Sequence, residues 1–140
     1  MEETHLLDSN ILVYALDRTA GKKQELAQEL VAEGFRGHAT ALAVQNLVES
    51  YDTLTRRLGV PAQDAAQLVD DLIAVQSWVK LPLTPASVSR AMGLHQRLKK
   101  QFWDCLIVAT MLENGITTIY TEDEGFKGFP GIEVINPFKA

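Results

Sequence analysis

Apolar residues crowd the stretch from Phe102 to Leu112. Phe102, Trp103, Leu106, Ile107, Val108, Ala109, Met111 and Leu112 cover nearly every side of a helix. A helix that is apolar all round belongs in the interior. Asn114-Gly115 supplies its stop, because glycine accepts the left-handed backbone that closes a helix C-terminus. Ile116 to Tyr120, short and rich in β-branched and aromatic residues, predicts a strand. An amphipathic pattern lies earlier in the chain. Val44, Leu47, Val48, Tyr51, Leu54 and Leu58 recur at spacings of three and four, which predicts a helix over 42–58 ended by Gly59-Val60-Pro61.

The other elements follow from punctuation as much as from periodicity. Residues 4–7 make a short apolar strand, and Asp8-Ser9-Asn10 carries the short polar side chains of a helix N-cap. The apolar run Ile11 to Leu16 suits strand or helix by pattern alone, and the cap selects a helix over 9–17. A second helix is predicted over 21–33, with Leu26, Leu30 and Val31 as its stripe and Gly34 and Gly37 as breakers. His38-Ala39-Thr40 is a candidate short strand. Pro61 opens a helix over 62–75, residues 78–83 form a strand, and Thr84-Pro85 caps and starts a helix reaching about Lys100. Residues 125–131 read as loop and 132–135 as a last strand. Strands alternating with helices predict an α/β fold with a mainly parallel sheet, as one domain over 1–140.

Composition narrows the class. With 140 residues, 46% hydrophobic and 22% charged, the chain can bury a core without staples. Its single cysteine, Cys105, excludes an internal disulfide and fits a reducing compartment. The apolar residues near the start are too few for a signal peptide, and no run reaches the roughly 18 residues of a membrane span. The expectation is a cytoplasmic protein. A net charge of -5 argues against non-specific nucleic-acid binding over the whole surface, while leaving room for a local basic patch.

Four acidic places could carry chemistry, and each also has an ordinary reading. Asp8 follows a strand, where open α/β sheets place their sites, and equally suits a helix cap. Glu49 lies beside an apolar stripe, near Gln45 and Thr53, and suits a solvated face. Asp104 opens the apolar helix, where it needs compensation from the helix N-terminus, a donor or a metal. Glu122-Asp123-Glu124 follows a strand and suits an exposed acidic loop.

Their order changes the reading. LLDSNILVYALD, QNLVES, FWDCLIVATMLENG and IYTEDEGF together resemble the PIN-domain family, whose small members include the VapC-type toxins, from Leu6 to about Phe138. The resemblance implies a three-layer α/β/α fold with an acidic pocket at the strand ends. Asp8, Glu49, Asp104 and Asp123 match the family's acidic positions. Asp8, Asp104 and Asp123 would hold metal, and Ser9, Asn10, Thr121 and Glu122 would surround them. Asp123 rather than Glu122 is taken as the fourth acid, because the family spacing puts it two residues after the threonine. A register shift of one would swap the two. The resemblance further implies a homodimer and a small antitoxin that occupies the acidic groove.

The implied chemistry is hydrolysis of RNA phosphodiester bonds. Charge developing on the phosphoryl group calls for Mg²⁺ or Mn²⁺, and such hard ions prefer carboxylate oxygen. Arg97, Lys99 and Lys100, just before Asp104, could meet an RNA backbone or simply form a solvated face. His5, His38 and His95 have no zinc-ligand spacing, and Cys105 has no histidine near it in sequence. The alternatives are a catalytically silent PIN-like module, a housekeeping RNA-processing nuclease and a receiver-type phosphoacceptor. The last needs an acidic pair near the start, which Asp8 lacks.

Overall fold

In the computed structural model, which describes residues 3–37 and 39–139, a five-stranded sheet is sandwiched between two groups of helices. The strands are β1 (His5–Leu7), β2 (Thr40–Ala43), β3 (Val79–Leu81), β4 (Thr118–Tyr120) and β5 (Glu133–Ile135). The helices are α1 (Ser9–Leu16), α2 (Lys22–Phe35), α3 (Val44–Asp52), α4 (Ala62–Ile73), α5 (Pro85–Leu98) and α6 (Phe102–Glu113). The strand order is β3-β2-β1-β4-β5, and every pairing is parallel. The chain works outward from β1 on one side and then returns to build the other. The point where it reverses lies between β1 and β4, and ligand crevices of open parallel sheets form there.

Alternation along the strands feeds two cores. Leu6, Ala41, Ala43, Leu81 and Ile119 face α5 and α6, whereas Leu7 and Leu42 face the layer of α1 to α4. The all-round apolar character of α6 has the predicted consequence: residues 104 to 111 are all buried. At the helix ends Phe102 and Leu112 are only partly buried, and Trp103 is 57% exposed. Gly115, with φ 69°, closes the helix as the sequence predicts.

Several boundaries differ from the sequence reading. The helix expected over 42–58 begins at Val44, because Thr40 to Ala43 form β2 and are buried on both faces. The candidate strand at 38–40 therefore shifts toward the C-terminus, and its His38 lies outside the described residues. Beyond Asp52 the helix widens into a π-helical turn over Thr53–Arg57. The predicted stripe is only partly used. Leu47 and Leu54 are buried, but Val48 is 64% exposed, and Tyr51 and Leu58 also face outward. Gln45, Asn46 and Ser50 are buried instead. The segment 125–131 starts in a short 3-10 turn and buries Phe126 and Phe129, so it is a packed part of the core.

Gly34 does not break α2 but lies inside it. A Cβ at that position would come within 2.6 to 2.8 Å of the Trp78 indole, so glycine here answers a close approach. Ala27, one face-repeat earlier, is fully buried as well. Small residues thus let α2 lie close to its neighbours. Gly34→Ala should cost about 1–3 kcal/mol through overpacking, despite alanine's better helix propensity. Urea melts followed by tryptophan fluorescence would measure this, and an unchanged or raised midpoint would refute it.

Candidate active site

Asp8 ends the central strand and caps α1. Ser9 N donates to its Oδ1 at 2.9 Å, which is the predicted helix cap. Its carboxylate then does more than a cap requires. Oδ1 also accepts from Asn46 Nδ2 at 3.1 Å, and Oδ2 accepts from Thr121 Oγ1 at 2.8 Å. Asn10 Nδ2 reaches Oδ2 at 3.5 Å, a long contact that leaves one acceptor position weakly used. Thr121, just after β4, is the second hub, since its Oγ1 accepts from Asn10 Nδ2 at 2.9 Å and from Asp123 N at 3.0 Å. One buried carboxylate therefore ties β1, α1, α3 and the end of β4 together.

Asn46 was not singled out from the sequence, yet it locks the start of α3. Its Oδ1 accepts from Ala43 N at 2.9 Å while its amide group reaches Asp8. Gln45 is the second such residue. Its Nε2 donates to the Trp103 carbonyl at 3.1 Å, bringing the beginnings of α3 and α6 together. The signal available in the sequence was QN, two amides opening a helix just after a strand, without any clue to their targets. The inward turn of Asn46 and of the Gln45 amide nitrogen follows from these bonds, while Gln45 Oε1 stays buried without a partner among the described residues.

Asp8, Glu49, Asp104 and Asp123, contributed by four separate segments, line one small pocket of about 110 Å³, together with Ser9, Asn10 and Gln45. Asp104 is buried in the first turn of α6, with no side-chain hydrogen bond to compensate it among the described residues. Ser9 Oγ donates to Glu49 Oε1 at 3.4 Å. Asp104 and Asp123 both crowd Gly125: a Cβ there would be 2.5 Å from Asp104 Oδ2 and 3.0 Å from Asp123 Oδ1. Gly125 N also donates to Asp123 Oδ1 at 2.8 Å.

The acids disturb one another. Burial pushes Glu49 up to about 7, with the Asp8 charge adding to it. Burial likewise pushes Asp104 up to about 6, with Asp123 and Asp8 adding their charges and Lys100 opposing weakly. Burial raises Asp8 as well, against the hydrogen bonds that lower it. An all-carboxylate set suits a hard divalent cation, whose charge would relieve this repulsion. Among the described residues no three such side chains converge on one point as a ready-made ligand set.

Other expected participants lie elsewhere. Glu122 turns away from the pocket: Tyr14 OH donates to its Oε1, and Lys23 Nζ lies 2.8 Å from its Oε2. The Lys23 amine also sits over the rings of Tyr14 and Phe138. With Glu122 held in this clamp, Asp123 is the one of the two that lines the pocket. Arg97 and Lys99 are exposed, with Lys99 as the left-handed cap of α5. Lys100 donates to the Lys127 carbonyl and covers the Phe129 ring. Cys105 is buried as a small core residue.

The family profile of the PIN domain matches residues 5–132, nearly the whole chain. The chain belongs to the PIN domain family. It is 30% identical over 135 residues to ribonuclease VapC13 of Mycobacterium tuberculosis, covering 91% of this chain and 96% of the relative. A VapC ribonuclease of Mycobacterium bovis matches equally well. Among solved structures, the M. tuberculosis Sarcin-Ricin loop cleaving toxin VapC20 superposes with a TM-score of 0.72 at 18% identity, covering 91% of this chain and 98% of that one. A toxin–antitoxin complex from Klebsiella pneumoniae gives 0.65 at 22% identity, covering 97% and 99%. These structural likenesses establish the PIN architecture, with its three α/β/α layers. No helix among the described residues is long and apolar enough to cross a membrane.

Two predictions come from this geometry. Glu49 and Asp104 have folded pKa values of about 7 and 6, above the unfolded values near ~4. Between these limits the folded state holds protons that the unfolded state releases, so stability should fall as pH rises from about 5 to 7. Melting temperatures in EDTA across that window would show a decline, and Asp104→Asn should flatten it. A rise with pH would contradict the raised values. Secondly, Gly125→Ala should cost about 1–3 kcal/mol by forcing the Asp104 carboxylate aside. In a double variant with Asp104→Ala, most of that cost should vanish, a coupling that denaturant melts can resolve. Additive losses would mean that Asp104 is not the obstacle.

Proposed function

We propose that this protein is a divalent-metal-dependent endoribonuclease acting as the toxin of a toxin–antitoxin pair. The observation that carries the proposal is the meeting of Asp8, Glu49, Asp104 and Asp123 in one pocket at the sheet's switch point. Relatives that carry the name ribonuclease along nearly the same length support it. Asp8, Asp104 and Asp123 would hold Mg²⁺ or Mn²⁺. When bound, such an ion supplies Lewis acidity and offsets the negative charge that develops on the phosphoryl group.

The chain's own groups would do the rest. Glu49, half-buried and with a pKa of about 7, suits a general base that takes a proton from the attacking water onto a carboxylate oxygen at neutral pH. Ser9, donating to Glu49 Oε1, would aim the other oxygen into the pocket. Thr121, Asn10 and Asn46 would hold the Asp8 carboxylate in one orientation, as outer partners of metal ligands commonly do. The exposed Val48, Tyr51 and Ile73 beside the α3–α4 groove support contacts with other protein, either a second copy in a homodimer or a small antitoxin.

Asp104→Asn and Asp123→Asn should each lower the RNA cleavage rate in Mn²⁺ by orders of magnitude. Glu122→Gln should remain closer to wild type, because Glu122 faces the Lys23 clamp. In EDTA the Asp104→Asn variant should melt no lower than wild type, since carboxylate repulsion is relieved. Millimolar Mg²⁺ or Mn²⁺ should raise the wild-type melting temperature by mass action. Cleavage that survives EDTA, or wild-type cleavage by Asp104→Asn, would return these acids to structural roles. A folded wild type that cuts no RNA in any divalent ion would favour the silent binding module.

A further inference from the structure

A second concavity adjoins the acidic pocket. It has a volume of about 280 Å³ and shares Ser9 and Asn10 with the pocket as a common wall. Its far side is built by the π-helical turn after α3, which contributes Thr53, Arg57 and then Leu58. Leu58 N donates to Thr53 O at 3.1 Å, closing the widened turn. Such π-turns occur often at functional sites.

The two arginines of that turn are used differently. Arg56 is fixed to Asp52, with Nη2 2.9 Å from Oδ2 and Nε 3.1 Å from the same oxygen. Arg57 is exposed and makes no side-chain hydrogen bond or ion pair among the described residues. Its guanidinium is a free fork of donors lining a groove that shares Ser9 and Asn10 with the pocket of four carboxylates. The groove's own acid, Asp17, is held by Thr19 through N at 2.9 Å and Oγ1 at 2.6 Å. Among the described residues the lining thus holds one free cation, Arg57, and one acid already bonded within its own turn, Asp17.

We infer that this groove is a nucleotide subsite, in which Arg57 binds a phosphate of single-stranded RNA next to the bond that is cut. The inference rests on the ribonuclease reading above. A polyanion approaching an acidic pocket on a protein of net charge -5 needs a local cation, and Arg57 supplies it with bidentate geometry suited to phosphate. Exposed Leu58 offers apolar surface for the attached sugar and base, while Ser9, Asn10 and Thr53 give polar edges. Lys100, the cation nearest Asp104, is already engaged with the Lys127 carbonyl, which makes Arg57 the better phosphate contact.

The test is steady-state cleavage of a short single-stranded oligoribonucleotide in Mn²⁺ at several salt concentrations, by wild type, Arg57→Ala and Arg56→Ala. Arg57→Ala should raise KM about five- to tenfold, with kcat within about twofold and an unchanged melting temperature. The slope of log(1/KM) against log salt should become shallower by about 0.7, the loss of one single-strand phosphate contact. Arg56→Ala should match wild type in all three. If wild type cleaves but Arg57→Ala keeps its KM and salt slope, the subsite is wrong and the ribonuclease reading stands. A fall in kcat at constant KM would also overturn the subsite, because Arg57 would then act at the reacting bond. If wild type cleaves no RNA, the ribonuclease reading itself fails and the subsite falls with it.

Discussion

The carboxylate of Asp8 must be accommodated almost entirely out of water, and much of this structure is arranged around that requirement. It is 5% exposed and sits at the C-terminal end of the central strand. A buried charge without partners costs several kcal/mol, so its neighbours have to be donors. They come from the first turn of α1, the first turn of α3 and the end of β4. The same bonds that satisfy Asp8 fix where those elements start.

Satisfying Asp8 has a consequence for α3. Asn46 must face inward to reach it, and Gln45 must face inward to reach the Trp103 carbonyl. Those two residues set the rotation of the helix. With Asn46 and Ser50 buried toward the site, part of the apolar stripe turns outward at Val48 and Tyr51. Hydrophobic burial of Leu47 and Leu54 still anchors the helix. The polar network decides the angle, because an orphaned buried amide is costlier than a partly exposed valine.

On the other side of the sheet the constraint is space. Helix α6 brings Asp104 to the pocket from within the core, and Gly125 lets Asp104 and Asp123 approach one another. Burial chiefly raises the pKa values of Glu49 and Asp104, and neighbouring carboxylate charge adds to it: Asp8 for Glu49, Asp123 and Asp8 for Asp104. Glu122 is kept out of that repulsion by Lys23 and Tyr14, whose bonds pull it to the opposite side of the strand end. Adjacent acids thus acquire different surroundings at the bend after β4, Glu122 against Lys23 and Tyr14 and Asp123 in the pocket.

The sequence by itself determined the α/β class, the buried character of α6, its glycine stop, the capped helix after Asp8 and the candidate acids. Each of these rests on local signals: period, cap chemistry and turn residues, which act over a few positions. The PIN motifs extended that reading to the order of the acids along the chain. Only the tertiary structure decided that Thr40 to Ala43 become a strand, since burial on both faces erases the alternation that marks one. Only it showed Gly34 as a contact with Trp78 rather than a helix break, and Asn46 and Gln45 as parts of the site. It likewise separated Asp123 from Glu122, and free Arg57 from paired Arg56. Asn46 is 38 residues from Asp8 and Thr121 is 113 residues from it, and no periodic or local signal spans such a separation. What holds those residues together is the partnering of buried polar groups, which exists only once the sheet has brought the strand ends side by side.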